Sequence, residues 1–177
     1  MRIVFQLGAL LIASLILSSF APTSSTKEVI KWYSWDEAIE LNSSSNKKIF
    51  IDVYTDWCGW CKKMDNSTFK DSKVVKYMNE NFIAVKFDAE QKEDIIYKDH
   101  IMKYIAQGRR GYHELAYSLL DGKMSYPAFV YLAEDARRII ISPGYKDAPM
   151  IMKELVFIGE DHYKTTSFTE FSKIYNP

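Results

Sequence analysis

The feature that most limits the fold is an apolar, β-branched run at positions 49–54, IFIDVY, which leads into a turn carrying two cysteines. Such a run, without polar alternation, reads as a strand buried on both faces, so other elements must cover the sheet on either side. One carboxylate, Asp52, interrupts it. Directly behind it, DWCGWCKKM at 56–64 places Cys58 and Cys61, the two cysteines of the chain, on a strand-to-helix turn.

The remaining elements build on this strand. In SWDEAIELNSSSNKK, Ser34 and Glu37 form a capping-box pattern, and a short helix follows to about Asn42. The stretch KKMDNSTFKDSKVVKYMNENF reads as helix with a break around 66–71, resuming through Val74, Val75, Tyr77 and Met78. A second strand spans 82–90, and two more, 128–132 and 138–142, are joined by a link short enough for an antiparallel hairpin. Between the second and third strands, EDIIYKDHIMKYIAQG and GYHELAYSLLDG both suggest helix, ended by Gly108 and Gly122. A helix over 148–158 and a short one capped by Ser167 and Glu170 close the chain. That order describes an α/β fold, a mixed sheet with helices on both faces.

At the N-terminus, Arg2 precedes an apolar run over 3–17 and then small residues up to Ala21. This is the layout of a secretory signal, and the run is short for a spanning helix. The expectation is a signal peptide over 1–21 and one domain over 22–177; Pro22 is an awkward neighbour for cleavage after Ala21, so an uncleaved anchor is the alternative. No cysteine lies near the segment's end for lipid attachment. With 23 Lys+Arg against 23 Asp+Glu, the charge balance does not suggest a polyanion such as nucleic acid as partner.

An exported chain meets an oxidising compartment, where structural disulfides usually join distant segments. Closing a loop as short as 58–61 removes little entropy from the unfolded chain, so the pair contributes little as a staple. At a helix N-terminus the Cys58 sulfur is favoured as thiolate, and Lys62 and Lys63 add positive charge nearby. Cys58 is then the attacking thiol and Cys61, deeper in the fold, the resolving one. A local structural bridge and half of a zinc site are the competing uses. Zinc needs further ligands, and His100, His113 and His162 are scattered without a paired pattern.

IFIDVYTDWCGWCKKM resembles the active-site strand, turn and helix of the thioredoxin superfamily, in which a buried aspartate precedes the W-C-x-x-C motif. The resemblance gives Asp52, six residues before Cys58, the place of that aspartate. A carboxylate in an apolar run has a raised pKa and can exchange a proton at neutral pH, here with Cys61; a paired structural acid is the alternative. Lys86 in AVKFD matches the lysine that partners this aspartate, or is a strand-end surface lysine. MSYPAF matches the segment with a cis proline facing the dithiol. This would make Pro127 cis and turn the Tyr126 backbone toward a bound substrate chain, against the ordinary trans proline that opens a strand. Gly144 in SPGY matches a glycine beside the active-site surface.

Two departures stand out. The 38 residues between Asp88 and Pro127 exceed the interval of small thioredoxins, implying a helical insertion at about 91–125 within a thioredoxin-like core at about 32–158. With that extension the chain resembles the exported thioredoxin-related proteins of the DUF255-like, thioredoxin_7 group. Trp60 stands where thioredoxins carry proline and strong oxidants often carry histidine, and it supplies no cation to hold a thiolate. With Trp57, Tyr54 and Tyr126 it could form an aromatic rim for an extended chain, or these rings could pack the core, which is the expectation for Tyr54.

The candidate catalytic residues are therefore Cys58, Cys61, Asp52 and Lys86, and the candidate substrate-facing residues Trp57, Gly59, Trp60, Tyr126, Pro127 and Gly144. The resemblance implies an exported, periplasmic or extracytoplasmic thiol–disulfide oxidoreductase needing no cofactor beyond its own disulfide, and a reductase of protein disulfides rather than an oxidant. Its partners would be disulfide-bearing proteins and an electron-donor protein, such as a membrane thiol transporter, since no G-x-G-x-x-G motif or nucleotide domain is present. An isomerase or oxidase, and a non-catalytic binding module, are the alternatives.

Overall fold

The computed structural model describes residues 28–177; the expected signal peptide and its cut site lie outside them. Strand β1 (Trp32–Tyr33) precedes helix α1 (Trp35–Ser44), which is opened by the full Ser34–Glu37 capping box. Strand β2 (Lys48–Tyr54) leads through the cysteine turn into α2 (Gly59–Asn66). A 3-10 turn (Thr68–Lys70) follows at the expected break, and then α3 (Ser72–Asn81), capped by Asp71.

Strand β3 (Phe82–Asp88) runs parallel to β1 and β2, β8 (Ala128–Leu132) pairs antiparallel with β2, and β9 (Arg138–Pro143) pairs antiparallel with β8, giving the order β1-β3-β2-β8-β9. Helices α5 (Ala148–Gly159) and α6 (Phe168–Ile174) complete the chain, α6 with the Ser167 hydroxyl accepting from the Glu170 N–H.

Side-chain alternation divides the sheet between two cores. Phe50, Ala84, Phe129 and Tyr131 pack beneath α2, α3, α5 and α6 with Met64, Phe69, Val75 and Leu155. Ile49, Ile51, Val53, Val85 and Val130 face the other way, against Trp35 and Ala38 of α1 and Leu115 and Ala116 further along the chain. Three layers follow, as the strand buried on both faces required. By the same alternation Asp52 and Lys86, register partners on β2 and β3, point toward the layer that holds α2.

The insertion corrects the sequence reading. Residues 93–108, expected as helix, form β4 (Ile95–Tyr97) paired with β5 (His100–Met102), and β6 (Tyr104–Gln107) paired with β7 (Arg110–His113). Only 114–119 is helical, as α4 (Glu114–Leu119), whose N-terminus is capped by the His113 Nδ1. Turn chemistry explains the difference. Lys98 and Asp99 both take positive φ, 50° and 64°, the geometry of a two-residue hairpin turn, and Gly108 at φ 59° opens the second one. Ile95, Ile96, Tyr97, Ile101, Tyr104 and Ile105, read as a helical stripe, are β-formers on short twisted ribbons. Gly108 thus turns a hairpin instead of ending a helix, while Gly122, at φ 73°, does follow α4.

Candidate active site

The turn after β2 places the cysteines. The Cys58 N–H donates to the Thr55 carbonyl (3.0 Å), and Cys58 is the N-cap of α2, its Sγ accepting from the Cys61 N–H at 3.1 Å. The two sulfurs are bonded at 2.05 Å, with the Cα atoms 5.3 Å apart. Both cysteines are nearly closed off, Cys58 at 4% and Cys61 at 2% exposure, so burial barely separates them; position on the helix does. Cys58 has the unpaired N–H groups and positive dipole end at its sulfur, which favours its thiolate once the bond is open. Gly59 beside it faces open space, where an added Cβ would meet nothing within 4 Å.

Behind the dithiol lies a charge cluster. Asp52 is 1% exposed, its Oδ2 accepts from Lys86 Nζ at 2.7 Å, and its Oδ1 has no hydrogen-bond partner. Lys86 also donates to Asp65 of α2, one helical turn beyond Cys61. The ammonium is enclosed by the rings of Tyr54 (4.9 Å), Trp32 (5.2 Å) and Phe69 (5.4 Å). Burial dominates at Asp52 and, with the Asp65 charge, outweighs the attraction of Lys86, pushing the carboxyl up to about 6. At Lys86 burial opposes the charge, but the two carboxylates more than offset it and its pKa is raised. Asp52 thus binds a proton more readily than an ordinary carboxyl, and Lys86 holds its own more firmly than an ordinary ammonium. Tyr54, expected in the core, is half-buried against that lysine and takes no place in the rim.

The third part is an aromatic surface around the turn. The Tyr126–Pro127 peptide bond is cis, and the Pro127 carbonyl accepts from the Gly144 N–H at 2.8 Å. Gly144 has φ 92° and open space around its Cα, so backbone conformation rather than crowding asks for glycine there. Trp57 is 50% exposed, packs edge-on to Tyr126 (5.8 Å), and donates from Nε1 to Glu90 Oε1 at 2.9 Å. Arg110, from the first residue of β7, lies 4.6 Å over the Trp57 ring. Trp60, 56% exposed, rests on Tyr145 at 5.1 Å, and Lys63 lies 4.9 Å from both rings. Burial pushes the Tyr126 phenol up to about 12, so it stays neutral.

Beneath this surface Lys146 anchors the loop that carries Gly144 and Tyr145. It is 6% exposed, and its Nζ donates to the carbonyls of Pro143 (3.2 Å) and Gly144 (3.4 Å) and pairs with Glu154 of α5 at 3.5 Å. Its carbonyl accepts from Thr68 Oγ1 at 2.8 Å, and Glu154 accepts from Ser142 (2.8 Å) and Tyr131 (3.3 Å).

Sequence reasoning missed Asp65, Glu90, Arg110, Tyr145, Lys146 and Glu154. Asp65 was within reach, since i,i+4 from Cys61 puts it on the same helix face. Arg110 was hidden by the helical reading of its hairpin, and Lys146 by the rarity of buried lysine. The structure joins Asp52 to Lys86, Trp57 to Tyr126, and Pro127 to Gly144. Trp60 turns instead to Tyr145.

Known proteins share this architecture. The chain is 36% identical over 67 residues to spermatogenesis-associated protein 20 of Mus musculus, covering 37% of this chain and 8% of that one. It is 38% identical over 39 residues to the thiol:disulfide interchange protein DsbD of Ralstonia nicotianae, 22% of this chain and 6% of that protein. The chain thus spans less than a tenth of the length of either relative. Among solved structures, a putative disulphide-isomerase from Bacteroides thetaiotaomicron superposes with a TM-score of 0.56 at 22% identity, over 81% of this chain and all of that one, which shows a shared thioredoxin fold. The family described as Thioredox_DsbH, protein of unknown function, DUF255, matches residues 17–145, and the chain belongs to that family.

Proposed function

We propose that this chain is a thiol–disulfide oxidoreductase acting on protein disulfides through Cys58 and Cys61, and that it works as a reductase outside the cytoplasm. The observation that carries the reading is the bonded cysteine pair on the first turn of α2, with a buried carboxylate of β2 tied to the same helix through Lys86. So short a loop gives little stability, so chemistry is the better account of the pair. Similarity to a thiol:disulfide interchange protein supports the reaction class. The apolar segment at 3–17 supports export.

In the reduced protein, the Cys58 thiolate attacks one sulfur of a substrate disulfide. The substrate S–S bond breaks, a mixed disulfide forms, and one substrate thiolate leaves and takes up a proton. Cys61 then loses its proton to the Asp52 carboxylate and attacks Cys58 Sγ. The Cys58–Cys61 bond forms, the mixed disulfide breaks, and the second substrate sulfur departs with the electron pair of that broken bond and takes up a proton. Two electrons have passed to the substrate, and a donor dithiol must return two. An acceptor poised at about 6 is largely ionised at pH 7 and able to take the Cys61 proton. The Tyr126 backbone beside the cis Pro127 offers an edge for an extended substrate, with Trp57 and Trp60 as flat supports.

The direction of electron flow follows from what holds the thiolate. Trp60 brings no charge into the loop between the cysteines, and the neighbouring cations Lys63 and Arg110 are stacked on tryptophan faces. A thiolate held by the helix N-terminus without a further cation supports a lower potential than one that also has such a cation. Equilibration with dithiothreitol or glutathione buffers tests this. The expected midpoint is closer to the thioredoxin value of about −270 mV than to the about −120 mV of strong oxidants. A value near the oxidant end would replace the reductase reading by an oxidase or isomerase. Failure of the reduced protein to reduce insulin would leave the binding-module alternative.

A further inference from the structure

We propose that Asp65 is a positioning residue for the proposed reaction: by sharing Lys86 with Asp52, it makes Asp52 the acid of the cluster that takes up a proton. The inference rests on the oxidoreductase reading for its use, but its observations are separate. Among the described residues, Lys86 Nζ is the one cation in hydrogen-bond contact with either carboxylate, and it contacts both. Two carboxylates around one ammonium leave one negative charge in a site lined by Tyr54, Trp32 and Phe69. In such surroundings uptake of one proton is favoured.

The two acids are unequal in exposure, so the proton has a preferred place. The Asp65 side chain is 39% exposed and keeps solvent on its charge, whereas that of Asp52 is 1% exposed and leaves Oδ1 without a partner. Desolvation therefore places the proton on Asp52, and Lys86 stays charged against Asp65. Without the Asp65 charge, the full attraction of Lys86 falls on Asp52, which becomes an ordinary ion-paired carboxylate and a weaker base for Cys61. The other titratable groups facing the cluster are Tyr54 and, around a cavity of about 230 Å³ that Lys86 also lines, Asp36, Asp88, Glu93 and Asp94. None of these hydrogen-bonds to Lys86 among the described residues.

The test is carboxyl-carbon NMR titration of Asp52 in the oxidised full-length protein. Asp65→Asn should lower the Asp52 midpoint by about one pH unit, Asp65→Glu should restore most of it, and Lys86→Met should raise it. In single-turnover reduction of a disulfide peptide, the acid limb of the pH–rate profile should move the same way. An Asp52 midpoint that Asp65→Asn leaves within about 0.3 pH units of wild type, or one that rises, overturns the proposal. Because the titration reads Asp52 without turnover, it stands apart from the oxidoreductase reading, which fails if wild type reduces nothing.

Discussion

Two lysines on the same side of the sheet, Lys146 buried and Lys86 half-buried, are used in opposite ways. Lys146 has one carboxylate, Glu154, and two backbone carbonyls, and Glu154 in turn accepts from Ser142 and Tyr131. Lys86 has two carboxylates and three aromatic rings, and one oxygen of its buried partner is left unpaired. A network satisfied on every side fixes a loop, here the one presenting Gly144 and Tyr145. A network with a spare acceptor and an odd charge has something left to exchange, and that is a proton. Polar satisfaction, more than burial or charge, separates scaffold from chemistry in this molecule.

The largest expected effect is on the scaffold network. Lys146→Met leaves Glu154, whose pKa burial already raises, without the cation that opposes that rise, and should cost about 3–5 kcal/mol in urea unfolding at pH 7. A loss below about 1 kcal/mol would mean that the loop is held by its backbone bonds alone.

Asp52→Asn should act with the opposite sign. A carboxyl at about 6 in the folded state and about 4 in the unfolded chain gives the folded state the greater proton affinity. Its contribution is then favourable below the unfolded value and is lost as pH rises through about 6, by up to about 2–3 kcal/mol at pH 7. Removing the ionisable group should stabilise the protein by about that amount at pH 7 and by little near pH 4, while slowing the Cys61 step about 10- to 100-fold. Unfolding curves at both pH values check the sign; destabilisation at pH 7 would make Asp52 a structural acid like Glu154. Smallest is Arg110→Gln, outside both networks. Loss of the contact over exposed Trp57 should change stability by less than about 1 kcal/mol, and a severalfold rise in KM for a protein disulfide would show that the hairpin shapes the substrate surface.

The sheet and the dithiol were legible because their signals are local: an apolar run buried on both faces, a capping box at Ser34, and cysteines three positions apart. Asp52 was legible for the same reason, as the one charge in such a run. The hairpins at 95–113 were not, since isoleucines and tyrosines spaced along 95–105 satisfy a helical period as well as a broken alternation. The deciding feature, positive φ at Lys98 and Asp99, carries no Asn-Gly or Asp-Gly pair to announce it. Arg110 was invisible because its partners Trp57 and Glu90 lie far off in sequence, and Lys146 and Glu154 because a buried lysine–glutamate pair is rare and leaves no pattern. Their roles come from contacts rather than from pattern.

In the proposed reaction Cys58 and Cys61 exchange electrons with a protein disulfide in that order. Incubating reduced Cys61→Ser protein with insulin, followed by non-reducing electrophoresis and mass mapping, tests it directly. The expected product is a covalent adduct through Cys58 that dithiothreitol releases, where wild type completes the reduction and leaves none. No adduct with Cys61→Ser, together with insulin left oxidised by reduced wild type, would contradict it.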